Sequence, residues 1–368
     1  MNKILLCLIC FLLSFVVPAG AAEKVLPEKF RVATYNLLRF SGNSKGTHKG
    51  GIDPAPKERE ARDAIAAVLK EVNPDILVVQ EIGDERWLEN LRQDLAAVGL
   101  TFLQENCQYV FGNDRFNHLA VLSKYPCETE MWNVRGDFLT RGFISSKFKL
   151  KNGEPFYVFN VHFKSQISND DDPKSFKRRS REILVLRSLI EFGVPKNLQE
   201  RKDFFAGTTK QFVEYGIAGA KSDYANNKLK TNYWEREKIT PQNFVILGDF
   251  NTPENAPELA FLSKDNFSKR VPTVPAIVNK NCDLKTEVGR FRNPELDKFT
   301  YVIKYAYSPK KNLRERNIAD YCAQLDQIFV SPNVYKTAAR VPATIANYDD
   351  AWVGSDHRCV FIDFDFSK

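Results

Sequence analysis

Eight short apolar runs constrain this chain more than any other feature. They are Phe30 to Tyr35, Ile76 to Gln80, Ala120 to Ser123, Gly142 to Leu150, Phe156 to Val161, Phe244 to Leu247, Gln327 to Val330 and Val360 to Phe366. Each is too short for a buried helix and rich in β-branched and aromatic residues, so each is read as a strand buried on at least one face. Between them lie two helical patterns. Lys57 to Val72 places Ala61, Ile65, Val68, Leu69 and Val72 on one face, and Asn73-Pro74 stops it. Phe176 to Phe192 turns Ile183, Leu186, Leu189 and Ile190 inward and opens with Lys177, Arg178, Arg179 and Arg181. Strands outnumber helices, which predicts packed sheets with helices outside rather than a simple doubly wound sheet.

At 368 residues, with 43% hydrophobic and 27% charged residues, the chain can bury a large core, and disordered or collagen-like readings are excluded. The longest apolar run is at the start. Lys3, the fourteen residues Ile4 to Val17 and the small segment Pro18-Ala19-Gly20-Ala21-Ala22 read as a cleavable secretory signal spanning 1–22. That run falls short of the roughly 20 residues a membrane span needs. A secreted or periplasmic chain of residues 23–368 is expected, forming one domain with two polar insertions at about 193–242 and 278–320. Both insertions mix Lys and Arg with aromatics, including Tyr224, Tyr233 and Trp234 in one and Tyr301, Tyr305 and Tyr307 in the other. Such a mixture suits a groove for a phosphate chain or simply a solvated face. Five cysteines remain after the signal, with no CxxC pair, so a zinc ribbon is not suggested. Cys359, inside an apolar run, is expected as a buried thiol.

Chemistry collects at the ends of the apolar runs. Tyr35-Asn36, Gln80-Glu81, Asn160-Val161-His162 and Gly248-Asp249-Phe250-Asn251 each end or follow one, and Ser355-Asp356-His357 precedes another. Loops at strand ends are where rigid scaffolds present reactive groups. The set supplies oxygen ligands for a hard divalent cation and imidazoles for proton transfer. It holds no serine elbow and no phosphate-cradling glycine loop, which removes serine hydrolases and nucleoside triphosphatases.

Six segments in order resemble the endonuclease/exonuclease/phosphatase superfamily, the deoxyribonuclease I-like metal phosphoesterases. They are Ala33-Thr34-Tyr35-Asn36, Val79-Gln80-Glu81, Asn160-Val161-His162-Phe163-Lys164-Ser165, Leu247-Gly248-Asp249-Phe250-Asn251, Leu325-Asp326-Gln327-Ile328-Phe329-Val330-Ser331 and Ser355-Asp356-His357-Arg358. The resemblance implies an α+β fold, a four-layer α/β/β/α sandwich of two mixed β-sheets with outer helices. It also implies roles. Glu81 with Asn36 would hold the divalent metal, Mg²⁺ first with Mn²⁺ or Ca²⁺ as alternatives, and Asp356 is a further metal position. Asp249 would align or deprotonate the attacking water, and Asn251 would donate to the phosphoryl oxygens. Asp326 would hold His357, which would stabilise the developing charge or assist proton transfer. His162 would protonate the leaving oxygen, and Arg141 would contact the phosphate.

The substrate is less constrained. The segment at His162 departs from the Tyr-x-Pro-Asn type of the abasic-site branch. Tyr321 to Asp326 departs from the Pro-Ala-Trp-x-Asp-Arg type of the inositol polyphosphate branch. A net charge of +7 and the basic cluster Lys174 to Arg181 favour nucleic acid, DNA or RNA, as substrate. A sphingomyelinase-like lipid phosphodiesterase is the alternative, yet no uninterrupted apolar loop is present to enter a bilayer. A nucleic-acid-binding protein on a retired scaffold would be expected to lose one of the reactive residues, and none is lost. No obligate protein partner is expected.

Overall fold

The computed structural model describes residues 25–42, 57–106, 108–110, 117–132, 141–166, 172–194, 239–275, 300–302, 322–346 and 354–367. The signal reading at 1–22 and most of both insertions lie outside these residues.

In chain order the elements are β1 (Lys29–Phe40), α1 (Arg59–Val72), β2 (Ile76–Ile82), α2 (Glu85–Ala97), β3 (Gln108–Val110), β4 (His118–Ser123), β5 (Glu128–Trp132), β6 (Phe143–Lys149) and β7 (Pro155–His162). After these come α3 (Phe176–Phe192), β8 (Phe244–Asp249), β9 (Lys269–Arg270), β10 (Thr273–Pro275), β11 (Tyr301–Val302), β12 (Cys322–Ala323), β13 (Asp326–Val330), β14 (Ala343–Ile345) and β15 (Val360–Asp365). All eight apolar runs form strands. One sheet has the order β10-β14-β15-β1-β2-β4-β3 and the other β5-β6-β7-β8-β13-β9. Both are mixed: β1 runs parallel to β2, and β7 parallel to β8, among antiparallel neighbours.

Alternation along the strands creates three apolar layers, because successive side chains point to opposite faces. Val32, Ile76, Val78 and Val121 of the first sheet meet Phe156, Val158, Val245, Leu247 and Ile328 of the second in the space between the sheets. The outward residues Ala33, Tyr35, Leu77 and Val79 pack under α1 and α2. On the far side Phe159, Val161, Phe244 and Ile246 pack under α3. Helix, sheet, sheet and helix stack in that order, which is the four-layer sandwich.

The helices end as local chemistry dictates. Asn73 takes the left-handed conformation (φ 47°) beyond α1, and its amide closes the last turn on the Leu69 carbonyl. Helix α3 spans Phe176–Phe192 as its periodicity predicts and stops at Gly193 (φ 78°). Helix α2 is an addition to the sequence reading; it buries Trp87, Leu88, Leu91 and Leu95. Cys359 is a fully buried free thiol, as expected. Among the described residues, no helix is long and apolar enough to cross a membrane.

Candidate active site

The inward face of each central strand changes from apolar to polar at the same end of the sandwich. On β1, Val32 is followed inward by Thr34 and Asn36; on β7, Val158 is followed by Asn160 and His162. On β8, Leu247 is followed by Asp249. Strand β13 runs antiparallel to β8, so its first residue, Asp326, pairs with Asp249, and His162 pairs with Asp249 from the other side. Three adjacent strands thus place His162, Asp249 and Asp326 in one row. All three are buried.

Glu81 reaches the site by a different device. Strict alternation after Leu77 and Val79 would turn it outward. The β2–β4 register instead jumps between Gln80 and Ile82, and Glu81 has φ 59°. A bulge of this kind re-aims one side chain and stores strain at a functional position. The Glu81 carboxylate then accepts from Asn36 Nδ2 at 3.3 Å and from the Arg39 amide at 3.0 Å. Gly248 serves the same end of the sandwich. It has φ 147°, and a Cβ there would sit 2.0 Å from the Val161 carbonyl oxygen, so the close approach of β7 to β8 requires glycine.

Asp249 is the hub. Its Oδ2 accepts from Asn36 Nδ2 at 2.9 Å and lies 3.3 Å from His162 Nε2 and 3.8 Å from His357 Nε2. Its Oδ1 accepts from the Asn251 amide at 2.8 Å. Burial alone would raise its pKa, but His357 and His162 outweigh burial and hold the carboxyl well below the usual range. His357 Nδ1 lies 2.7 Å from Asp326 Oδ2. Burial works to discharge this imidazole, yet Asp326 and Asp249 reverse that and raise its pKa to about 10. Burial pushes Asp326 up to about 6 against the pull of His357.

Asn251 and Arg141 do more for the fold than the sequence implied. Asn251, in the left-handed region (φ 52°), donates from Nδ2 to the Phe163 carbonyl at 3.0 Å and to Asp249 Oδ2 at 3.1 Å. It holds Asp249 in place. Arg141 is buried and donates from Nη1 to the same Phe163 carbonyl at 2.9 Å. Both brace the turn after His162.

Beneath the site lies a buried polar tie between the sheets. Gln80 Nε2 donates to Thr34 Oγ1 at 3.0 Å and to Asn160 Oδ1 at 2.7 Å. Asn160 Nδ2 donates to the carbonyls of Val79 and Ala120, each at 3.0 Å. Tyr301 also belongs to the site, although sequence reading placed it in a polar insertion. Its ring packs on His357 with centroids 4.8 Å apart. Burial and the charges of Asp356, Asp249 and Glu81 raise the pKa of its phenol. Only the pairing of β11 with β12 and the bridge to His357 bring it there.

The donor set fits a hard cation. Glu81, Asp249, Asp326 and Asp356 concentrate four carboxylates, and Oδ1 of Asp356 and Oδ1 of Asp326 are buried without a hydrogen-bond partner. Burial, with Glu81 and Asp249 nearby, raises the Asp356 pKa, although His357 opposes the shift. Ligand atoms of Asp249, Asp326 and His357 lie within 4.8 Å of one another. The oxygens of Glu81 and Asn36 each already accept a hydrogen bond, whereas Oδ1 of Asp356 and Oδ1 of Asp326 have none.

The sequence matches the profile of the Endonuclease/Exonuclease/phosphatase family over residues 33–197 and 217–357. No curated protein matches it. Among solved structures it is similar to an endonuclease/exonuclease/phosphatase family protein from Leptotrichia buccalis C-1013-b, at 10% identity and TM-score 0.48, covering 92% of this chain and 100% of that one. It is also similar to D. rerio TDP2 complexed with single strand DNA product, at 12% identity and TM-score 0.47, with 92% and 99% covered. A mannosyl-6-phosphatase from Bacteroides thetaiotaomicron VPI-5482 follows at 13% identity and TM-score 0.45, with 91% and 99% covered. The family profile spans most of the chain, the six motifs converge at one end of a four-layer sandwich, and the chain belongs to the endonuclease/exonuclease/phosphatase family, whose members are hydrolytic phosphoesterases that use divalent metals.

Proposed function

We propose that this chain is an exported nuclease that hydrolyses phosphodiester bonds of DNA or RNA by direct attack of water. The observation that carries the hydrolytic part is the facing arrangement at the site. Asn36 and Glu81 come from one sheet, and His162, Asp249 and Asp326 from the other. These groups meet across the space between the sheets, with Asn36 Nδ2 2.9 Å from Asp249 Oδ2 and Glu81 Oε1 3.9 Å from His162 Nε2, so carboxylates and imidazole converge where a phosphoryl group would be met.

A divalent cation bound through Glu81, Asn36 and Asp356 would polarise the phosphoryl group and lower the pKa of water. Asp249, ionised and fixed by Asn36 and Asn251, accepts a hydrogen bond from the attacking water and sets its line of approach. His357, whose pKa Asp326 raises, would meet the negative charge that builds on the phosphoryl oxygens. His162 would hand a proton to the leaving oxygen. Arg141 and Asn251 support this constellation through the Phe163 carbonyl.

Nucleic acid as the substrate is supported by charge. The chain carries +7 overall while the site gathers carboxylates, so the excess of basic residues lies outside the site, where it favours a polyanionic substrate. Export is supported by residues 1–22. The deciding experiment compares supercoiled plasmid, single-stranded RNA, sphingomyelin vesicles and a soluble phosphomonoester, with Mg²⁺ and with EDTA. Metal-dependent cutting of plasmid or RNA is expected. Turnover of the phosphomonoester or the lipid alone overturns the nuclease reading and keeps the hydrolase. Export is checked by fractionating the producing cells and reading the N-terminus of the released protein, which is expected near Glu23.

A further inference from the structure

Thr300 and Tyr301 touch both halves of the Asp326–His357 pair. Thr300 is fully buried. Its Oγ1 accepts from the amides of Leu325 at 2.9 Å and Asp326 at 3.0 Å, which uses both lone pairs of the hydroxyl. Its own carbonyl accepts from the Arg358 amide at 2.7 Å, the residue that follows His357. Tyr301 forms an antiparallel bridge with His357 and lays its ring on the imidazole at 49°. On its other side Tyr301 pairs with Ala323, three residues before Asp326. Two consecutive residues therefore span the strand start that carries Asp326 and the segment that carries His357.

We infer that Thr300 and Tyr301 are positioning residues: a clasp that sets the distance and ring plane of His357 relative to Asp326. Sequence offers no other direct route between them, because thirty residues separate the two. Among the described residues a second hold on His357 comes from the far side, where its amide donates to Ser355 Oγ and that hydroxyl donates to the Asn36 carbonyl. That second hold fixes the backbone of His357 but not the plane of its ring. The clasp supplies the plane through Tyr301 and the partner's position through Thr300. A misplacement on the order of 1 Å costs about a hundredfold in a reaction that depends on geometry.

The catalytic consequence rests on the role proposed above for His357, so the test reads the pair directly as well as the turnover. Four variants are made in the full chain: Thr300→Ser, Thr300→Val, Tyr301→Phe and Tyr301→Ala. For each, kcat and KM are measured with Mg²⁺, and proton NMR follows the downfield Nδ1–H signal of His357 hydrogen-bonded to Asp326. Thr300→Val and Tyr301→Ala are expected to lower kcat by about tenfold or more with KM within about twofold, and to lose or shift the signal. Thr300→Ser keeps the hydroxyl and Tyr301→Phe keeps the ring, so both are expected to retain kcat within about threefold and to keep the signal.

Wild-type kcat with an unchanged signal in both Thr300→Val and Tyr301→Ala overturns the clasp. Equal losses in the conservative variants, or absence of the signal in the wild type, overturn it as well. If Thr300→Val does not fold, the two Tyr301 variants decide. A wild-type chain that turns over no phosphate ester defeats the proposed function, while the NMR comparison still decides the clasp.

Discussion

The two ends of the space between the sheets are built on opposite principles. At one end Phe30, Phe156, Phe364 and Phe366 form an aromatic cluster, with Phe30 and Phe156 centroids 5.3 Å apart, Phe156 and Phe364 5.2 Å apart, and Phe30 and Phe366 5.8 Å apart. At the other end the same strands carry Thr34, Asn36, Asn160 and His162. The side chains of the first end are held together by volume and shape. Dispersion and the hydrophobic effect are non-directional, so strain spreads among many small contacts. The second end is held by directional bonds, and each buried polar group needs its named partner. The comparison teaches that stability and chemistry are separated along a single set of strands, with the Gln80–Asn160 tie at the border.

That separation can be broken from either side. Phe156→Ala, at the aromatic end, is expected to have the largest effect on stability, about 3–5 kcal/mol by chemical denaturation, while the folded fraction keeps its kcat. A parallel loss of kcat would show that the two ends are not independent. At the reactive end, Asp249→Ala and His357→Ala are each expected to remove at least a hundredfold of activity, about 2.7 kcal/mol of transition-state stabilisation, with a native circular dichroism spectrum. Wild-type rates in either would dissolve the distinction.

At the border, Asn160→Leu leaves Gln80 and the carbonyls of Val79 and Ala120 without their partner. It should cost about 1–3 kcal/mol and also reduce activity, because the strand that carries His162 loses its tie to the strand that carries Glu81. A loss of stability with kcat unchanged would make the tie purely structural. The smallest effect belongs to neither end. Lys147→Ala removes an exposed ion pair with Glu128, 3.0 Å long, and is expected to change the melting curve by less than about 1 kcal/mol with activity intact.

Much of the aromatic end is legible in the sequence. Phe156 to Val161 and Val360 to Phe366 announce buried strands by composition and length, and the structure makes strands of both. Asn73-Pro74 announces the stop of α1. The motif residues also announce themselves, because a strand that ends in Asn-Val-His or Gly-Asp-Phe-Asn carries polar groups where an apolar face should continue. What these signals lack is partner and direction. Alternation would send Glu81 outward, and only the bulge against β4 turns it inward. Asn251 and Arg141 read as phosphate contacts by resemblance, and nothing local says that both also donate to the Phe163 carbonyl. Tyr301 sits in a polar stretch with no apolar pattern around it, and nothing local says that it stacks on His357.

The sequence alone determined eight of the fifteen described strands, two of the helices and the residue types at their ends, because periodicity, β-branching and turn chemistry act over a few neighbours. The tertiary structure decided which of those ends meet. His162, Asp249 and Asp326 share one row only because β7, β8 and β13 pair in that register. The pKa of His357 is raised only because carboxylates from distant segments outweigh its burial. Register and electrostatic environment are sums over residues far apart in the chain, and no window of sequence contains them.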